Sequence, residues 1–408
     1  SIDAMLNARA FLVFGLLITG AVSHAQNPIV QSIIDAVSID SLMHDLGLLS
    51  GESPIDIGNG PETIVSRNKN QPGNPLAADW LQQRFEQMGF TPAVQIFSGG
   101  TGENIIVEKP GVLHPEKKVV ICGHYDSMPG GPVASPAADD DGSGTVAVLE
   151  ALRVMADHDF ENTMVFALWD EEEQGKLGSI YYAGVAAASD VEIIAAVNMD
   201  AISYDGDGDG LMRVHTKNIA NSVALKDTAM SVNGTYAGLQ LPMAINLPGA
   251  TYSDHASFWS ENYSAILIIE DFDNDGNPHY HTSTDLVDYI DQPYFHGLAR
   301  LSIGTAAVMA RPISEETAIQ AIAPALSGPS LFVYPNPASS NTVVRTDVLE
   351  ANSSLILYDA LGRQVMDIAS GTSAFGKRIF RFDAQDLVPG SYVLRLTTSG
   401  RTASLTVV

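Results

Sequence analysis

Cysteine is almost absent from this 408-residue chain: Cys122 stands alone, so no intrachain disulfide can form. It lies in the apolar run "VVICG" and reads as a small buried hydrophobe. Positive charge is scarce too, with 21 Lys and Arg against 48 Asp and Glu and a formal net charge of −27. A surface of that sign repels phosphate backbones, which excludes nucleic acid as an expected partner. It suits an extracellular or saline setting and gathers cations near any carboxylate cleft. Long apolar runs are missing as well, apart from "AFLVFGLLITGAV" after Arg9. That run is short for a bilayer span and ends in "SHAQ". Residues 1–25 therefore read as a signal peptide cut before Gln26, Met5 as its natural start, and no stable membrane span is expected.

What is present is a folding composition, 45% hydrophobic, with a clear rhythm. "AVQIF", "NIIVE", "KKVVICG", "TMVFALW", "EIIAAVNM" and "SAILIIE" are short β-rich runs. Between and around them, "LAADWLQQRFEQMG", "GTVAVLEALRVMAD" and "QPYFHGLARLSIGTAAVMA" carry helical spacing. The pattern predicts an α/β domain over 26–312, with a mostly parallel mixed sheet sandwiched by helices. Residues 313–330 are rich in Pro, Ala and Ser and read as a linker. Residues 331–408 change to short strands parted by Asn-Pro, Leu-Gly and Pro-Gly turns, the pattern of a small all-β sandwich.

Charged residues collect just after the apolar strands. His124 and Asp126 follow "KKVVICG", Glu172 and Glu173 follow "TMVFALWD", and Asp200 follows "EIIAAVNM". His281 lies in the loop after "SAILIIE", and "ADDDGSG" opens a helix nearby. Ligands of open α/β sheets bind beyond the carboxyl ends of the strands, so these groups should converge on one crevice. A single Asp after a strand is commonly a turn former or helix cap. Imidazoles and carboxylates gathered at one sheet edge instead form a divalent-metal site.

The ordered set "HYDS", "ADDDGSG", "DEEEQGKLGS", "NMD", "SDHASF" and "HTSTD" resembles the two-zinc exopeptidases, in particular the secreted bacterial leucine-type aminopeptidases. The resemblance runs from about Asn74 to Arg311. It implies that His124 and Asp200 bind one zinc ion, Glu173 and His281 the other, and Asp140 bridges both. It implies Glu172 as general base, a cis peptide at Asp140–Asp141, peptide substrates and a need for a free α-amine. Two residues apart, His124 and Asp126 share a side, so Asp126 can support the imidazole. Glu172 and Glu173, adjacent in extended chain, should point to opposite sides, one to metal and one to water.

Some positions depart from that pattern. The resemblance makes Tyr280, which precedes His281 where some relatives carry a tyrosine, a candidate donor to the substrate oxyanion. Other relatives place a tyrosine shortly before "SDH", where Ala250 stands here. His279 is expected at the surface, and Asp254 and His255 are expected to orient the loop. "DGDGDG" and "DFDNDG" look like loops for a structural calcium, but Thr216 and Thr282 stand where the twelfth-position Glu is needed, so solvated acidic turns are the expectation. The tail motifs "VYPNP", "LYDALGRQV" and "LVPGSYVLRL" resemble the C-terminal sorting domain of type IX secretion, implying that machinery as a partner and a secreted or surface-attached product. Alternatives on the same scaffold are a carboxypeptidase, a single-zinc glutaminyl cyclase or a non-catalytic binding protein.

Overall fold

The computed structural model describes residues 26–313 and, with short interruptions, 331–407. The expected signal peptide and linker lie outside the described residues. Two compact units divide at Ile313. The first begins with helices α1 (Pro28–Ala36) and α2 (Ile39–Leu49) and a small ribbon, β1 (Ile55–Asp56) with β2 (Pro61–Glu62). Its eight-stranded sheet is built from β3 (Ala93–Phe97), β4 (Gly102–Lys109), β5 (His114–His124), β6 (Asn162–Trp169), β7 (Glu192–Met199), β8 (Met212–His215), β9 (Met243–Asn246) and β10 (Ala265–Glu270). Helices α3 (Gly73–Gln87), α4 (Gly144–Met155), α5 (Leu177–Ala188), α6 (Ser222–Thr235), α7 (His255–Ser260), α8 (Phe272–Asp275) and α9 (Gln292–Ala310) complete it.

The strand order is β3-β4-β6-β5-β7-β10-β8-β9. Its centre, β6-β5-β7-β10, is parallel throughout. Continuous apolar strands make this possible, since successive residues feed cores on opposite faces. Val119, Ile121, Phe166 and Val197 enter one core with α4 and α9, whereas Val120, Cys122, Val165 and Ala196 enter the other with α5 and α7. The chain leaves β5 through α4 to reach β6, then crosses back through α5 to β7 on the other side of β5. The order reverses at β5, and four parallel strands deliver their carboxyl ends to that edge.

The second unit holds two antiparallel sheets. One pairs β11 (Leu331–Tyr334), β12 (Thr342–Leu349) and β15 (Gly376–Phe382); the other pairs β14 (Gln364–Thr372), β13 (Ser353–Tyr358), β16 (Tyr392–Thr398) and β17 (Arg401–Val407). Val344, Leu355, Leu357, Phe382, Leu394 and Leu396 form its core, fed by period-2 alternation such as that along β13. Among the described residues, no helix is long and apolar enough to cross a membrane.

Candidate metal centre

His124 closes β5 and is 1% exposed. Its Nε2 lies 3.3 Å from Asp140 Oδ1 and 3.7 Å from Asp200 Oδ1, at the end of β7. On the other side of Asp140, His281 Nε2 lies 3.1 Å from Asp140 Oδ2 and 2.9 Å from Glu173 Oε2. Each group of three offers one imidazole nitrogen and two carboxylate oxygens, and Asp140 belongs to both. Thus all five residues that the sequence nominates as ligands meet in one place.

These contacts are not finished hydrogen bonds. Asp140 Oδ2 and Glu173 Oε1 are buried without a hydrogen-bond partner. Leaving such oxygens unpaired costs about 1–3 kcal/mol each, so something else must answer their lone pairs. Donor atoms of a tetrahedral zinc shell, with bonds of about 2.0–2.1 Å, stand roughly 3.3–3.4 Å apart. The observed separations bracket that spacing, and mixed imidazole–carboxylate sets suit a borderline dication. The residues fit the metal pair that the sequence implies.

Electrostatics point the same way. Burial would strip His281 of its proton, but the Asp140 and Glu173 carboxylates beside it outweigh that and push the imidazole up to about 10. Burial likewise opposes a charged His124, yet Asp126, Asp140 and Asp200 hold it well above its ordinary value. Glu173 is pushed up to about 7 by burial and by the charge on Asp140. Glu172 is raised well above the carboxylate range, chiefly by burial. Without a cation, protons must neutralise this crowd.

The surrounding loops explain how the crowd is held. A kinked turn over Ala138–Ser143, with the Asp140–Asp141 peptide cis, leads into α4. Each aspartate of the triplet has its own task. Asp141 Oδ2 accepts the His124 N–H at 3.0 Å, and its Oδ1 accepts the Gly144 N–H at 2.9 Å and the Ala201 N–H at 3.3 Å. Asp139 accepts the Ser203 N–H at 3.0 Å and the Asn277 amide at 3.0 Å. Asp285, which ends "HTSTD", accepts the Asp139 and Asp140 N–H groups. Asp139 and Asp141 therefore orient the loop.

Asp126 Oδ1 approaches His124 Nδ1 to 3.3 Å without an aligned hydrogen bond, and the Asp126 carboxylate accepts the N–H groups of Glu172 at 3.0 Å and Glu173 at 3.2 Å. One reason given for the Glu pair needs correcting: Glu172 and Glu173 do not lie in extended chain. Glu171 has φ +57°, and Gly175 and Lys176 donate to the Glu172 carbonyl at 2.7 Å, so a tight turn separates the two side chains. Glu173 joins the ligand group, while the Glu172 carboxylate makes no hydrogen bond among the described residues. Tyr280 is 38% exposed, and its ring stacks on His281 at 3.7 Å between centroids. Burial and the acids of the centre hold its phenol protonated.

Other expected bystanders stay outside the cluster. His279 stacks on Tyr289 and contacts Thr284 Oγ1 at 2.8 Å. Ser179 donates to Asp254, and His255 Nε2 meets the Ala250 carbonyl at 2.8 Å. The carboxylates of "DGDGDG" accept backbone N–H groups: Asp205 from Gly208 and Gly210, Asp207 from Asp209, and Asp209 from Leu211. In the second acidic loop Asp271 pairs with Arg213.

Sequence reasoning missed Arg67, which is 0% exposed. Its guanidinium donates to the carbonyls of Leu49, Tyr125, Pro136 and Ala137 and so fastens both ends of the loop between His124 and Asp140. Burial lowers it to about 10, countered by Asp285, Asp126, Asp141 and Asp140. Nothing in "VSRNKN" marks it. Asp285 was quoted within a motif but given no task.

A family model described as Peptidase family M28 matches residues 104–306, and one described as a secretion system C-terminal sorting domain matches residues 332–408. A probable leucine aminopeptidase of Arthroderma otae is 30% identical over 296 residues, covering 68% of this chain and 73% of the relative. Its counterpart in Trichophyton verrucosum is 29% identical over 296 residues, covering 69% and 75%. The crystal structure of the LapA aminopeptidase of Legionella pneumophila shares the fold, with a TM-score of 0.58, 22% identity, and coverage of 70% of this chain and 75% of that one.

Proposed function

The chain belongs to peptidase family M28, and we propose that this member removes residues singly from peptide N-termini with two zinc ions held by His124, Asp140, Glu173, Asp200 and His281. As a metallo-aminopeptidase with a sorting domain, it is secreted or attached to the cell surface. We assign the export route to type IX secretion.

The observation that supports the zinc reading is the buried, unpartnered Asp140 Oδ2, 3.1 Å from His281 Nε2, together with the unpartnered Oε1 of Glu173, whose Oε2 lies 2.9 Å from the same nitrogen. Zinc in such a site supplies an acidified water and polarises the scissile carbonyl. Glu172, buried and free of other hydrogen bonds, takes the proton of the attacking water and hands it to the departing amine. The Tyr280 phenol, kept protonated beside His281, donates to the oxygen on which charge develops. Asp126 lies 3.3 Å from His124 Nδ1 and, through its two backbone contacts, places Glu172 and Glu173 relative to that ring. The acidic mouth of the crevice suits a substrate α-ammonium.

The test is hydrolysis of aminoacyl and N-blocked aminoacyl chromogenic substrates by purified protein, with and without chelator, alongside metal analysis. We expect cleavage of the free-amine series only, loss on chelation, and two zinc ions per chain. Cleavage of the blocked series would overturn the aminopeptidase reading, and a single zinc per chain would favour the cyclase alternative.

A further inference from the structure

Cations are outnumbered by more than two to one on this chain, 21 against 48 acids, and several described ones face a carboxylate. Lys69 meets Glu171, Lys118 meets Glu108, Lys226 meets Asp227, and Arg213 meets Asp271. Lys176 and Lys217 are half-buried, yet neither pairs with an acid among the described residues. Both line one cleft of about 320 Å³ together with Trp259, Ile219, Thr251 and Ser257. Lys217 Nζ stands 5.7 Å from the centre of the Trp259 ring, which steadies its charge over an apolar floor.

The cleft backs onto the metal centre. Lys176 lies three residues beyond Glu173, and its N–H donates to the Glu172 carbonyl at 2.7 Å. Ser257 Oγ lies 2.8 Å from Ser179 Oγ, which donates to Asp254; the charges of His124 and Asp200 act on that same aspartate. Tyr280 and Tyr252 pack around Phe272 and form an aromatic wall beside His281. The cleft is thus tied to the turn that carries Glu172, while the aromatic wall stands beside His281.

We propose that the cleft between Lys176 and Lys217 is a subsite for a substrate carboxylate on the leaving-group side of the scissile bond. The carboxylate comes either from the free C-terminus of a short peptide or from an acidic side chain. Two free ammonium groups, three hydroxyl-bearing or aromatic neighbours and a hydrophobic floor match a carboxylate on an otherwise apolar stem. In a molecule this acidic, such a site also offsets the repulsion that an anionic peptide meets on approach. The proposal rests on the aminopeptidase reading and adds a substrate class to it: short or acidic peptides.

The experiment measures kcat/KM on the full chain for Leu-Gly, Leu-Gly-Gly and Leu-Gly-Gly-Gly, each as acid and as amide. Leu-Glu-amide and Leu-Gln-amide form a second arm that carries the carboxylate only on a side chain. Preference in the first series assigns the C-terminus; preference in the second assigns the side chain. Two half-exposed ion pairs predict a preference of roughly tenfold for at least one carboxylate-bearing partner, expressed in KM and shrinking with added salt. Lys176→Met and Lys217→Met, which keep the apolar stem, should each lower that ratio, and the double variant should abolish it. Ratios near one at every length in both arms would sink the proposal, as would ratios unchanged in the double variant. Tryptophan fluorescence titration with acetyl-Gly-Gly acid against its amide needs no hydrolysis. Inactivity toward a free-amine leucyl chromogen that carries no carboxylate would thus count against the aminopeptidase reading, whereas absence of acid-selective binding would count against the subsite.

Discussion

Four consecutive acids, Asp170 to Glu173, sit at the carboxyl end of β6, and each does something different. Asp170 takes the Asn74 amide at 2.9 Å and the Glu103 N–H at 3.2 Å. Glu171 meets Lys69 at 3.3 Å and the Ser98 hydroxyl at 2.7 Å. Glu173 faces His281, which leaves Glu172 alone to face the crevice. Glu172→Gln keeps the size of the side chain and removes its basicity. It should retain the wild-type zinc stoichiometry by mass spectrometry while turnover falls roughly 10²–10⁴-fold; an active variant would move the base elsewhere. Protonation of the ligands gives a second test. With no cation bound, His281 at about 10 is charged at pH 7, Glu173 at about 7 is partly protonated, and the acids around His124 favour its charged form. Zinc must displace those protons, so affinity should rise with pH and fall as the medium is acidified. Calorimetry of the metal-free protein in buffers of different ionisation enthalpy should register release of at least about one proton per chain at pH 7. Uptake without proton release would mean that the imidazoles are not ligands.

The elements that place these side chains were unevenly legible. β3, β7 and α9 fall where "AVQIF", "EIIAAVNM" and "QPYFHGLARLSIGTAAVMA" put them, because strong apolar runs are bounded by turn residues. Asp291 adds a cap to α9 by accepting the Tyr294 N–H at 2.9 Å. The helix "LGSIYYAGVAAA" was not legible, since it is apolar on most of its circumference and shows no period; nor was β9, only four half-buried residues long. The ligands could be read because each sits at a strand end, a position fixed by the local sequence. Arg67 and Asp285 act across 18 to 146 positions of chain, and nothing local announces such partners. The turn before α4 shows how tightly the element is built. A Cβ added to Gly144 would stand 2.4 Å from Asp141 Oδ1, and one on Gly123 would stand 2.7 Å from Asp141 Oδ2. Gly144→Ala must therefore push Asp141 off the His124 and Ala201 N–H groups. We expect weaker zinc retention on dialysis and a lower melting temperature, by an amount matching about 1–3 kcal/mol. Wild-type retention in that variant would show that the clamp by Asp141 is dispensable.

At the scale of the molecule, two independent cores stand behind two separable tasks. The catalytic unit closes its sheet between two apolar clusters drawn wholly from residues 30–310, and every residue assigned to the metal centre lies within it. The C-terminal sheets enclose a smaller cluster of their own, from Val344 to Val407. A unit with a complete core of its own should fold without the other. Deletion of residues 331–408 should then leave zinc content and kcat/KM on a leucyl chromogen unchanged within about twofold, a difference of roughly 0.4 kcal/mol. The same deletion removes the whole stretch matched by the sorting-domain model, residues 332–408. Fractionation of the native host should therefore find the shortened enzyme, still active, retained inside the cell, whereas the full chain reaches the medium or the surface. Loss of activity on deletion would show that the units depend on each other for folding. Normal export of the shortened chain would show that the address is written elsewhere.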